Sequence, residues 1–399
     1  MMIFYQFVRP KHSDNFTKLK TSFSIIPISM LRLLAVTGLF ISFTAQAQIH
    51  PLLQQISDLQ CYNDPFYRDG MFPSQRVAHN GKVREDNTIF FTALTVFTLK
   101  SLYTKFSAEE KLLCDSIVKS ASRNLRYYQN RNGLPTYNFW QVYPFEQPFP
   151  NRTLWSKMPK FRLADDLDDT SIIYLIMAKP DSIHQVVKRM MEIQIDDEAV
   201  YGTLKQYRYK SVYPTWFADK MKQDLDICVI SNVLLFVFKK KLPLTPADQH
   251  SIDFIKEIIS TKEYLKQPKE VSPHYQNSAV ILYHVTRLVS EAHHPDLDKI
   301  KQMLIADINN LLKGDLHPME KMILQSSLLK LNPNQKLDTY VQSADERGQN
   351  FYWFCANTLA GRRPFFRNSA SKLGFVQSSY RSQAYYVSLR LEWEILSGR

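Results

Sequence analysis

Glycine is scarce, at 10 of 399 residues, and proline reaches only 20. So few glycines argue against a β-rich fold with many tight turns. They also argue against a dinucleotide-binding chain, whose phosphate loop needs glycines in close order. Cysteine is scarcer still. Cys61, Cys114, Cys228 and Cys355 lie far apart, with no metal-ligand spacing, and are too few for a disulfide scaffold. Cys228 falls inside an apolar run, which predicts burial. No Gly-x-Ser-x-Gly elbow is present, which disfavours a serine hydrolase. His293-His294 and His317-Pro318 have no acids or cysteines at ligand spacing and read as surface or turn residues. Dense basic tracts are missing too, apart from Lys239-Lys240-Lys241 at the end of an apolar stretch, where cations suit a helix C-terminus. No nucleic-acid motif accompanies them, so a polyanion partner is not expected.

What is present is an ordinary globular balance, 45% hydrophobic and 22% charged, with a high aromatic share of 13%. Twenty-five Phe, 21 Tyr and 5 Trp can fill a core or line a cavity. Near the N-terminus Arg32 precedes an apolar run, Leu33 to Phe43, followed by Ala45-Gln46-Ala47. That is the order of a secretory signal: positive, apolar, then small-x-small. The run is shorter than the roughly 20 residues a membrane span needs. The expectation is export, with residues 1–47 removed after Ala47, Met30 as an alternative start, and a single domain over 48–399. The formal charge of +12 includes five bases and one acid in residues 1–47, so the remainder carries +8.

Beyond Gln48 one design recurs. A polar entry bearing Asp, Asn, Ser or His leads into a long apolar helix. The entries are Asp86-Asn87-Thr88, Asp168-Asp169-Thr170, Asp224-Leu225-Asp226, Ser272-Pro273-His274-Tyr275, Leu316-His317-Pro318 and the stretch from Arg381. Such residues accept hydrogen bonds from first-turn amides, and Asp also complements the positive helix end. The helices that follow are apolar nearly all round, which predicts burial on more than one side. Between them lie amphipathic stretches, Ala108 to Tyr128, Ile183 to Ile193, Pro246 to Ile259 and Asp296 to Leu312. Buried and half-exposed helices therefore alternate about six times, a period that marks helix-pair arrays. The predicted fold is all-α, an α/α toroid of about six helix pairs in a closed ring, because an open solenoid needs polar caps and a stricter period.

Residues 130–163 break the rhythm. They are rich in Asn, Pro and aromatics and read as a long functional loop. The loop delivers the chain to Asp165-Asp166-Leu167-Asp168-Asp169-Thr170. Four carboxylates in five positions repel one another, so at least one should hold a proton near neutral pH.

Asp166-Leu167-Asp168-Asp169-Thr170 resembles the DxDD(T) motif of class II terpene cyclases such as squalene–hopene cyclase, which are built from α/α toroids. The resemblance covers the motif and the repeat plan. It implies that Asp168 protonates an alkene or epoxide and starts a carbocation cascade, with Asp166 and Asp169 as supporting carboxylates and Asp165 and Thr170 beside them. Aromatic faces would stabilise the cation. The candidates are Tyr137, Trp140, Trp155 and Trp216, around a small, apolar substrate. Asp165, Asp166 and Asp169 also fit the DDxxD pattern of class I terpene synthases, where carboxylates hold Mg²⁺. No second metal motif accompanies it, so no cofactor is expected and Mg²⁺ ranks lower.

Two other functions stay open. An exported glycosidase or lyase on an α/α toroid would use a carboxylate pair across an open groove. Asp86, Asp168 and Asp226 could supply it, with Asn87 at the same mouth. A non-catalytic binding toroid is the third reading. The aromatic patch Phe351-Tyr352-Trp353-Phe354 reads as packing between the last and first repeats. The nearby Arg362 and Arg363 offer a membrane-surface or anion contact as the alternative.

Overall fold

A computed structural model describes residues 49–144, 163–196, 198–217, 222–337, 350–357 and 377–398. The proposed signal segment, Trp155, Arg362 and Arg363 lie outside the described residues. The protein is mostly helical, as its glycine-poor, periodic sequence requires. Among the described residues no helix is long and apolar enough to cross a membrane.

Residues 49–58 are helical and buried on one side. The long helices that follow are α1 (Ile89–Leu102), α2 (Ala108–Ser122), α3 (Leu167–Ile176), α4 (Asp181–Ile193), α5 (Ile227–Lys239), α6 (Pro246–Thr261), α7 (Ser278–Ala292), α8 (Lys301–Leu311), α9 (Pro318–Leu331) and α10 (Gln383–Ser397). They fall into two kinds. In α1, α3, α5, α7, α9 and α10 most side chains are buried, on more than one side of the helix. In α2, α4, α6 and α8 only one stripe is, which matches their amphipathic sequences.

The helix starts obey capping chemistry. Thr88 accepts from Phe90 N at 3.2 Å, and Asp226 from Cys228 N at 2.8 Å. Asn277 accepts from Ala279 N at 2.8 Å. Each side chain satisfies an amide that the helix itself leaves unpaired. Two starts differ from the sequence expectation. Helix α3 begins at Leu167, so Asp168 and Asp169 lie in its first turn and Asp166 is the cap, accepting from Asp169 N at 2.6 Å. Helix α7 begins at Ser278, which leaves His274 and Tyr275 in the preceding loop.

The buried helices pack in chain order. α1 packs on α3, α3 on α5, α5 on α7, α7 on α9, α9 on α10, and α10 on α1. The first and last elements also meet in an antiparallel sheet that the sequence reading did not foresee. Its strands are β1 (Ser74–Ala78), β2 (Val83–Asp86), β5 (Phe354–Asn357) and β6 (Gln377–Arg381), in the order β2-β1-β6-β5. Arg76 pairs with Arg84 on one side and Tyr380 on the other. A two-stranded ribbon of β3 (Asp165–Asp166) and β4 (Trp216–Phe217) sets Asp166 opposite Trp216.

Candidate functional site

Asp165 to Thr170 are all buried, and their roles divide. Asp165 holds the preceding loop. One of its oxygens accepts from Asn130 Nδ2 at 2.5 Å and Thr136 Oγ1 at 2.6 Å, and the other from Asn138 Nδ2 at 3.0 Å. Thr170 Oγ1 accepts from Tyr137 N at 3.1 Å and stitches the same loop to α3. Asp165→Ala would leave three donors unmet, each costing about 1 kcal/mol or more. The expected loss is about 2–3 kcal/mol in urea unfolding, with faster proteolysis between residues 129 and 138.

Asp168 points away from that loop. Its Oδ1 accepts from Asn232 Nδ2 of α5 at 2.5 Å, and its Oδ2 accepts from the Tyr275 hydroxyl. Asn232 Oδ1 in turn accepts from the Arg287 guanidinium of α7. Burial pushes the Asp168 carboxyl up, while Tyr275 and Asn232 pull it back, leaving it at about 6. Its neighbours Asp166 and Asp169 share a hydrogen bond. Burial and their mutual charge raise both, Asp169 well above the usual carboxylate range. One proton therefore stays on this pair near neutral pH, as like charges at close range require. No family model, no curated protein and no solved structure matches this chain.

A second knot lies beside the first. Asp224 accepts from the Thr215 hydroxyl, from Trp216 Nε1 at 3.0 Å, and faces His274 Nε2 at 3.3 Å. Asp226 accepts from Ser272 Oγ at 2.7 Å and His274 N at 2.8 Å, in addition to capping α5. Burial disfavours the His274 imidazolium, but the Asp224 carboxylate wins and, with Asp226, holds its pKa up at about 9. Burial likewise disfavours the Asp224 anion, and the imidazolium more than offsets it, holding that carboxyl below its ordinary value. An unfolded His titrates near 6.5, so this ion pair stabilises the fold fully below that pH. Its contribution fades as pH rises and is gone above the folded value of about 9. The expected result is a stability loss on the order of 3 kcal/mol between pH 6.5 and 9. His274→Gln should flatten that slope in denaturation midpoints.

Asp86 is fully buried, accepting from Trp140 Nε1 at 2.8 Å and Thr88 N at 3.1 Å, with Arg76 Nε at 3.8 Å. The Asn87 carbonyl accepts from Tyr128 Oη at 2.7 Å. Tyr137 packs on Tyr174, and its hydroxyl meets Met177 Sδ at 3.3 Å, towards the far end of α3. Trp140 packs on Phe139, and Trp216 on His274. The indoles of Trp140 and Trp216 are therefore engaged with Asp86 and Asp224. Among the described residues, no three His, Cys, Asp or Glu side chains are grouped as a metal site.

The aromatic residue that touches Asp168 is a different one, Tyr275, and further rings follow from it. Phe354 lies 6.2 Å from Tyr275 and stacks on Phe91 at 5.1 Å. Tyr385 lies 5.9 Å from Phe91, and Trp353 4.8 Å from Tyr385. Asn232 and Arg287 had a legible signal: each is a strongly polar side chain in the buried part of a mostly apolar helix. Such a group must find a partner inside the fold.

Proposed function

We propose that the chain is an exported enzyme of the terpene-cyclase kind, which protonates an apolar alkene or epoxide through Asp168. The single observation that carries this is the setting of Asp168. It is a buried carboxyl raised to about 6 and held at both oxygens, one of them by the hydroxyl of an aromatic side chain, Tyr275. The α/α toroid belongs to the same proposal, and the order of helix packing, with α10 returning to α1, supports it.

The chemistry runs through this chain's own groups. A protonated Asp168 has two fixed partners, Asn232 and Tyr275, which set the direction of its O–H. Proton transfer leaves a carboxylate that both partners stabilise, with Arg287 behind Asn232 offsetting its charge. The shared proton on Asp166 and Asp169 keeps total charge in the run low. The faces of Tyr275, Phe354 and Tyr385 offer negative quadrupole density to a growing cation.

A glycosidase needs two carboxylates free to reach a sugar. Asp86 and Asp226 are fully buried and lie against Arg76, Trp140, Ser272 and His274. That arrangement favours the acid-initiated reading. The test is turnover of a linear isoprenoid such as squalene by the purified chain and by Asp168→Asn. An active wild type and an inactive variant support the proposal. A wild type that binds squalene without changing it would make the chain a binding toroid.

A further inference from the structure

Arg287 is a buried cation, 4% exposed, and among the described residues it forms no ion pair with a carboxylate. One of its terminal nitrogens donates to Asn232, and its Nε has no hydrogen-bond partner. Its guanidinium lies over two rings, 5.1 Å from Phe97 and 5.6 Å from Tyr283. Trp353 packs 5.5 Å from the same Tyr283 ring and 4.8 Å from Tyr385. Arg287 is the charge that Tyr385 feels most strongly. Trp353 Nε1 and the Tyr385 hydroxyl are also buried and unpartnered. Three donors on one small region, each nine-tenths or more buried, thus lack acceptors. Leaving such donors unmet costs roughly 1–3 kcal/mol apiece, and more for a charged group. Buried donors in native interiors nearly always find an acceptor, so three together call for one.

We propose that Arg287, Trp353 and Tyr385 form a binding site for a single oxyanion head, a carboxylate or a phosphate, on an otherwise apolar ligand. Guanidinium N–H, indole N–H and phenol O–H are all donors, which is the set an oxyanion needs. The surrounding Phe91, Phe97, Tyr283 and Phe354 suit an apolar body and not a hydrated ion. The charge balance agrees. Whenever Asp168 carries a proton, as its proposed role demands, Arg287 loses the charge it faces through Asn232, and the nearby carboxylate of Glu392, which accepts from Tyr283 Oη at 2.8 Å, is paired with Lys330. An anionic head supplies a counter-ion, and a buried cation without one is costly. The inference rests on the Asp168 reading for its link to substrate, but the site can be tested without turnover.

Decanoate, decyl phosphate and decanol share one tail and differ in the head. Calorimetry on the intact chain should find one or both anions binding at least about 10-fold more tightly than decanol, as one charged hydrogen bond gives. Preference between the two anions identifies the head. Trp353→Phe and Tyr385→Phe remove one donor each and should weaken the anions about 5–10-fold while leaving decanol unchanged. Asp168→Asn should tighten anion binding, because it removes the competing charge. Equal affinity for decanol and the anions would overturn the site, as would no binding at all or phenylalanine variants without effect. An Asp168→Asn protein that keeps turnover but binds anions overturns only the acid, and one that loses turnover but binds decanol equally well overturns only the oxyanion site.

Discussion

Asp168→Asn should lower isoprenoid turnover by at least 100-fold while leaving the helical signal and the cooperative unfolding transition in place. General acid catalysis by a positioned side chain contributes about 10²–10⁴-fold, and asparagine cannot supply that proton. The amide matches the carboxyl in size. It keeps an oxygen for Asn232 Nδ2 and stays within reach of Tyr275, so the packing survives. The neighbouring acids give the controls. Asp166 caps α3, so Asp166→Asn should keep that bond and lose little activity. Tyr275→Phe removes a hydrogen bond that favours the ionised form of Asp168. Its carboxyl should move higher, so the falling limb of the pH–rate profile should shift to higher pH. A structural role for Asp168 alone would not move that limb. If Asp168→Asn kept full turnover, the assignment would be wrong.

The helical plan was legible because its signal is local. Entries such as Asp86-Asn87-Thr88 and Asp224-Leu225-Asp226 mark helix starts through the chemistry of unpaired amides, and the apolar runs behind them mark burial. The site was less so. From sequence the four carboxylates look alike. In space Asp165 anchors a loop, Asp166 caps a helix, and Asp168 meets residues 64 and 107 positions away. The aromatic candidates were chosen for nearness in sequence to the acidic run. The one that touches Asp168, Tyr275, comes from the loop before α7, by a contact no local pattern encodes. The four-stranded sheet had a partial signal. Asn80-Gly81, between Ser74–Ala78 and Val83–Asp86, is the hairpin dipeptide, and Gly81 takes the positive φ of +78° that such a turn requires. The pairing of β1 with β6 crosses about 300 residues and leaves no local trace.

Trp353→Ala should cost about 3–5 kcal/mol, the range for emptying a packed aromatic site. The side chain is 1% exposed and is walled by Tyr385, Tyr283 and His284. Those neighbours sit on α7 and α10, which are held by their own packing and cannot collapse into the space. The backbone is fixed as well, since Trp353 N donates to Tyr380 O at 3.0 Å and ties this segment to β6. The void therefore stays, and the walls lose their contacts outright. Trp353→Phe separates shape from polarity. It keeps most of the ring volume and deletes an N–H that has no partner, so no hydrogen bond is lost. Its cost should stay below about 1.5 kcal/mol. Urea midpoints for the two variants, with unchanged slopes, measure the difference. A small loss for alanine would mean that Trp353 does not hold α7 and α10 together. A large loss for phenylalanine would mean that the indole N–H already has an acceptor in the ligand-free protein, which would remove one of the three donors assigned to the oxyanion site.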